Sequence, residues 1–174
     1  MVATMPSTVL DLQDVTFRYE PDESPAVEHI TFAVRAGEWV AVTGHSGSGK
    51  STIAQLLSGY LPRSGGGIRE GILRVDGLDP AEASIAEVVQ RIGVLFQDPD
   101  AQLVQGRVED EVAFGPENLC LEVAAIEERV TDALAAVDLA ERRPDSVHSL
   151  SGGAACLSSG RACGCAAGRA ASAE

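Results

Sequence analysis

GHSGSGKS, at positions 44–51, fits the pattern G-x-x-x-x-G-K-S/T without a mismatch. The pattern describes a loop whose successive backbone N–H groups converge on an anion, followed by a helix whose N-terminus adds partial positive charge. Gly44, Gly47 and Gly49 allow the backbone close to a phosphate with no Cβ in the way. In this pattern Lys50 reaches the β- and γ-phosphates of a nucleoside triphosphate and Ser51 offers its hydroxyl to Mg²⁺. Lys50 is the only lysine in the chain, against twelve arginines. A planar guanidinium substitutes poorly for a compact ammonium inside a tight loop, so a single lysine at this position supports the reading. His45, Ser46, Ser48 and Thr52 complete the set expected to line the nucleotide, with His45 at a variable position that a plain loop side chain also suits.

The flanks supply the context that the pattern needs. EWVAVTG (38–44) is an almost unbroken apolar run ending in glycine, which predicts a strand buried on both faces of a parallel sheet. STIAQLLSGYL (51–61) places Ile53, Leu56, Leu57 and Tyr60 on one helical face. Upstream, Val15, Phe17 and Tyr19 alternate with polar residues, and so do Ile30, Phe32 and Val34, which predicts two half-buried strands around a turn at 21–25. Downstream, GILRVDG (71–77) reads as a strand running into an Asp-Gly turn, 82–90 as helical, and RIGVLFQ (91–97) as another buried strand. From about 98 the character changes. VEDEVAF (108–114) reads as a short acidic helix. The stretch 122–139 carries Ile126, Val130, Leu134 and Val137 at helical spacing, with Pro144 expected to stop it. No internal repeat is present.

Composition sets further bounds. The chain has 174 residues, enough for one domain. Acidic residues number 26 against 13 basic, a formal charge of −13, which argues against nucleic-acid binding. Apolar residues make up 45%, so a packed core is expected. No apolar run approaches the roughly 18 residues of a membrane helix, and no signal peptide is legible, so direct membrane insertion is not expected. Cys156, Cys163 and Cys165 lie as C-x6-C-x-C without the paired C-x-x-C spacing of a zinc site.

Three further features give the order Tyr19, phosphate loop, Gln97, then LSGG at 150–153. This order resembles the ATP-binding subunits of ABC transporters, from about residue 9 to Gly153. The stretch FQDPDAQLVQGRVEDEVAFGPENLCL (96–121) is similar to the ATPases of energy-coupling-factor importers, which take up cobalt, nickel or vitamins. The resemblance implies an α/β fold, a P-loop NTPase core of the ABC ATPase type with N-terminal antiparallel strands and a helical insertion. It implies a nucleotide-binding core at 1–97 and a helical subdomain at 98–153. It further implies that Tyr19 stacks on adenine, although a half-buried strand aromatic is the bland alternative. Gln97 would ligate Mg²⁺ or the attacking water. Leu150, Ser151, Gly152 and Gly153 would contact ATP held by a second ATPase subunit in a head-to-tail dimer. ATP and Mg²⁺ are the implied cofactors, Lys50 and Gln97 the implied catalytic residues, and Ser51 and Gln97 the implied metal contacts. A transmembrane transporter subunit is the implied partner, which places the chain in the cytoplasm at the inner face of the membrane.

The family also carries an apolar strand ending in Asp-Glu after LSGG, and a later histidine. Residues 154–174 are almost all Ala, Cys, Gly or Ser and contain no Ile, Val or Phe. They are therefore expected to be an aberrant low-complexity tail from a shifted reading frame, with the C-terminal part of the sheet missing. Hydrolysis by such a chain alone is doubtful on this reading. The alternative is a non-catalytic fragment that keeps only nucleotide or partner binding.

Overall fold

The alternating apolar pattern upstream of the phosphate loop forms a sheet in the computed structural model, which describes residues 7–95 and 102–150. The chain divides into two compact units, Met1–Arg91 and Ile92–Glu174.

In the first unit, strands β1 (Thr8–Arg18), β2 (Val27–Arg35) and β3 (Ile68–Val75) form an antiparallel sheet in the order β2-β1-β3. The central strand sets the register: Leu12 stands opposite Phe32 on one side and Leu73 on the other. Leu12, Val15, Phe17 and Leu73 are fully buried; Val15 and Phe17 keep the predicted period of two, while the pairing with β2 shifts register between Leu12 and Val15. Thr16 is buried as well, because its Oγ1 accepts the His29 N–H at 3.1 Å. The Asp-Gly turn after β3 has both residues at positive φ (Asp76 50°, Gly77 79°), and the Leu78 N–H donates to the Val75 carbonyl at 3.0 Å. That is the two-residue geometry whose twist matches a right-handed hairpin.

Helix α1 (Lys50–Leu57) buries Thr52, Ile53 and Leu56 and packs on β3. Helix α2 (Ile85–Val89) starts at a capping box: Ser84 Oγ accepts the Glu87 N–H, and the Glu87 carboxylate accepts the Ser84 N–H. Between β3 and α2, Arg69 grips Asp79 with two parallel bonds, Nη1 to Oδ1 at 2.8 Å and Nη2 to Oδ2 at 2.5 Å. Burial pushes the Asp79 carboxyl upward. The Arg69 bond, the Ala81 N–H and the charges of Arg69 and Arg74 outweigh that, and the group sits below its ordinary value.

Two expectations fail in this description. Residues 38–44 form no strand and are exposed throughout; Trp39 is 101% exposed, Val40 55% and Val42 49%. A strand buried on both faces needs neighbours in a sheet, and among the described residues of this unit the three strands pair only with one another. The second run, 91–97, shows no strand over its described part 91–95, and Leu95 is 46% exposed.

The second unit is helical over its described residues. Helix α3 (Val108–Asn118) and helix α4 (Val123–Ala135) pack together, followed by single 3-10 turns at Ala140–Arg142 and Val147–Ser149. Val108, Val112, Val130, Leu134, Leu139 and Val147 form the core, with Ile126 and Val137 packed at its edge. Arg143 ties the helices together, donating to Glu109 of α3 at 3.0 Å and to Glu127 of α4 at 2.6 and 2.7 Å. Its hydrogen bond holds the Glu127 carboxyl below the usual range. Helix α4 ends well before Pro144. Asp138 turns left-handed at φ 57°, and the Leu139 N–H returns to the Leu134 carbonyl at 2.9 Å, which caps the C-terminus.

Candidate functional site

The phosphate-loop residues come together at the start of α1, and the sequence explains how. Gly44, Gly47 and Gly49 have φ of 153°, 80° and 87°. At Gly49 the requirement is double. The backbone is left-handed, and a Cβ would fall 2.5 Å from Val27 Cγ1 and 2.6 Å from the Ala26 carbonyl oxygen. Only glycine lets the loop-to-helix junction seat against the start of β2.

Lys50 is half-buried and folds back over the loop. Its Nζ donates to the Gly44 carbonyl at 2.9 Å, the His45 carbonyl at 2.7 Å and Ser48 Oγ at 3.3 Å. The loop is thus drawn into a ring around one ammonium. His45 is exposed, with Nδ1 2.7 Å from the Ser46 carbonyl, so the ring N–H donates there. Ser46, Ser48 and Ser51 are exposed. Helix α1 opens with no side-chain cap and no acidic residue in its first turn, which leaves its positive end uncompensated. These features fit an anionic triphosphate with its Mg²⁺: an N-terminus open to an anion, an adjacent ammonium, and the exposed Ser51 hydroxyl. Among the described residues no group of three or more His, Cys, Asp or Glu could hold a metal by itself. A metal here would therefore depend on phosphate oxygens for part of its shell.

Tyr19 follows β1 and is 42% exposed. Its ring meets Phe17 edge-on, with centroids 5.0 Å apart and planes at 86°. Its hydroxyl lies 3.2 Å from Thr52 Oγ1, so the structure joins Tyr19 to the first turn of α1. This link, between residues 33 apart, carries no sequence signal.

Leu150 is half-buried against the core of the second unit and donates its N–H to the Val147 carbonyl at 3.2 Å. The turn before it is held by Arg142, which bonds Asp145 at 2.9 Å and the Ser149 carbonyl at 3.3 Å. Gln97, Ser151, Gly152 and Gly153 lie outside the described residues, as does the tail 154–174.

With this geometry in place, comparison identifies the class: the chain matches the ABC transporter family over residues 27–158 and belongs to it. The fold agrees. The structure of cbiO1 from Clostridium perfringens, described as part of the ABC transporter complex cbiONQ, superposes with a TM-score of 0.78 at 28% identity. That match covers 91% of this chain and 62% of cbiO1. The energy-coupling factor transporter ATP-binding protein EcfA1 of Clostridium perfringens is 42% identical over 154 residues, 86% of this chain and 53% of EcfA1. EcfA of Syntrophomonas wolfei is 40% identical over 146 residues, 83% of this chain and 52% of that protein. The chain spans about half the length of these curated relatives. Among the described residues no helix is long and apolar enough to cross a membrane.

Proposed function

We propose that this chain is the nucleotide-binding part of an ATP-driven importer subunit of the energy-coupling-factor class, working in uptake of a metal ion or vitamin. What carries the reading is the ring of loop carbonyls and Ser48 around Lys50, set at an uncapped helix N-terminus. Lys50 meets the β- and γ-phosphates by leaving its carbonyl partners, so the charge is already in place before the anion arrives. The α1 amides orient the phosphates, and Tyr19 presents a ring face to adenine. Ser51 and Gln97 hold Mg²⁺, which when bound supplies charge stabilisation for phosphoryl transfer. Leu150, Ser151, Gly152 and Gly153 reach ATP on a second ATPase subunit arranged head-to-tail. The acidic helical unit docks a transmembrane subunit at the cytoplasmic face of the membrane.

The test is titration with a fluorescent adenine nucleotide and Mg²⁺, followed by an ATPase assay. Binding that weakens at least about tenfold in Lys50→Ala supports the proposal, on the scale of a lost charge-assisted bond. Affinity unchanged by that substitution refutes it. A second reading, binding without turnover by this chain alone, is favoured by one observation: residues 38–44 are exposed and no parallel strand leads into the loop among the described residues. Turnover abolished by Lys50→Ala would refute the second reading.

A further inference from the structure

We propose that Thr52 is a positioning residue for base recognition: through its hydroxyl it fixes the orientation of the Tyr19 ring that receives the adenine. This rests on the nucleotide-binding reading above and assigns the Thr52 hydroxyl to the ring. Three contacts define a small rigid frame. The Ala26 N–H donates to the Phe17 carbonyl at 2.8 Å and closes the β1–β2 hairpin two residues before Tyr19. Ala26 and Val27 in turn lie against Gly49, at the start of α1. The bond between Tyr19 Oη and Thr52 Oγ1, at 3.2 Å, closes the frame from the other side.

Thr52 is 6% exposed, while Tyr19 is 42% exposed. The hydroxyl pair therefore sits at the inner end of the phenol, and the ring keeps surface for a ligand. Phe17 meets the ring edge-on, which limits tilt in one direction. The Thr52 bond limits swing about the remaining side-chain torsions. A stacking platform fixed in advance loses less freedom when a base settles on it. The same helix turn that faces the phosphates thus also sets where the base lies, which couples recognition at the two ends of one ligand.

The experiment measures affinity for ATP and for inorganic tripolyphosphate, each with Mg²⁺, in the wild type, Tyr19→Phe, Thr52→Val, the double variant and Thr52→Ser. Tyr19→Phe keeps the stacking ring, and Thr52→Val keeps the side-chain volume. Each single change is expected to weaken ATP binding about fivefold, the scale of one neutral hydrogen bond. The double variant should be no weaker than either single one, because both remove the same bond. Thr52→Ser should restore ATP affinity, and in Thr52→Val and Tyr19→Phe the loss for tripolyphosphate should be clearly smaller than the loss for ATP. Wild-type ATP affinity in Thr52→Val overturns the proposal. So does a parallel loss for tripolyphosphate, which would place the hydroxyl on the phosphates, and so do additive losses in the double variant. A wild type that binds neither ligand instead overturns the nucleotide-binding reading itself.

Discussion

Replacing Gly49 by alanine tests whether the loop-to-helix junction is held by backbone geometry. At φ 87° an L-residue is strained by roughly 1–2 kcal/mol. The new Cβ would also meet Val27 Cγ1 at 2.5 Å and the Ala26 carbonyl oxygen at 2.6 Å. One of these is backbone, so relief requires the hairpin or the helix to move, at a typical overpacking cost of about 1–3 kcal/mol. Together the two effects come to about 2–5 kcal/mol, a large share of a domain margin of about 5–15 kcal/mol. Gly47 supplies the internal control. It has φ 80°, nearly the same strain, but its Cβ would meet nothing within 4 Å. Urea unfolding of both alanine variants separates the two contributions. Gly49→Ala should lower the midpoint by roughly 1–2.5 M at an unchanged slope of about 2 kcal/mol per M, and Gly47→Ala by clearly less. Equal shifts in the two variants would refute the idea that close approach to β2 dictates glycine at 49.

Three other expectations follow from the same structure. Trp39 is the single tryptophan of the chain and is fully exposed, so acrylamide should quench its fluorescence as strongly in the native protein as in urea; strong native shielding would show that 38–44 is packed. The stretch from Trp39 to Val42 is exposed, apolar and uncharged, so Val40→Lys should slow aggregation measured by light scattering. The Asp79 carboxyl, held low, stabilises the fold above its unfolded value of about 3.9 and loses that contribution as pH falls through the lower folded value. Asp79→Asn leaves Arg69 unpaired and should cost about 3 kcal/mol at pH 7, with the gap to wild type closing in acid. A gap that stays constant from neutral to acid pH would contradict the pairing.

The residues that announced themselves in sequence were those whose pattern is local. Alternation at Val15 and Phe17, the Asp-Gly turn at 76–77 and the helical spacing of Val130 and Leu134 each depend on near neighbours, and each matches the structure. The glycine spacing of the phosphate loop is local too, and the left-handed backbone at Gly47 and Gly49 uses it. The run at 38–44, and the described part 91–95 of the run at 91–97, form no strand because unbroken apolarity says only that burial is available, and a strand needs a partner that no local pattern supplies. The end of α4 was misplaced for a related reason. Proline is an obvious stop, but Asp138 in a left-handed conformation ends the helix earlier, without the glycine that would have advertised it. The Tyr19–Thr52 bond and the seat of Gly49 against Val27 join residues far apart in the chain, so only the folded arrangement could disclose them.

The ring of acceptors around Lys50 has a practical consequence. Because no other side chain in this molecule carries a primary amine, acylating or pyridoxal-type reagents find a single side-chain target. Its reactivity falls while the nitrogen is engaged by Gly44, His45 and Ser48 and changes whenever a competing anion draws it away. One covalent tag, without any engineered handle, thereby becomes a spectator of how that bend is occupied.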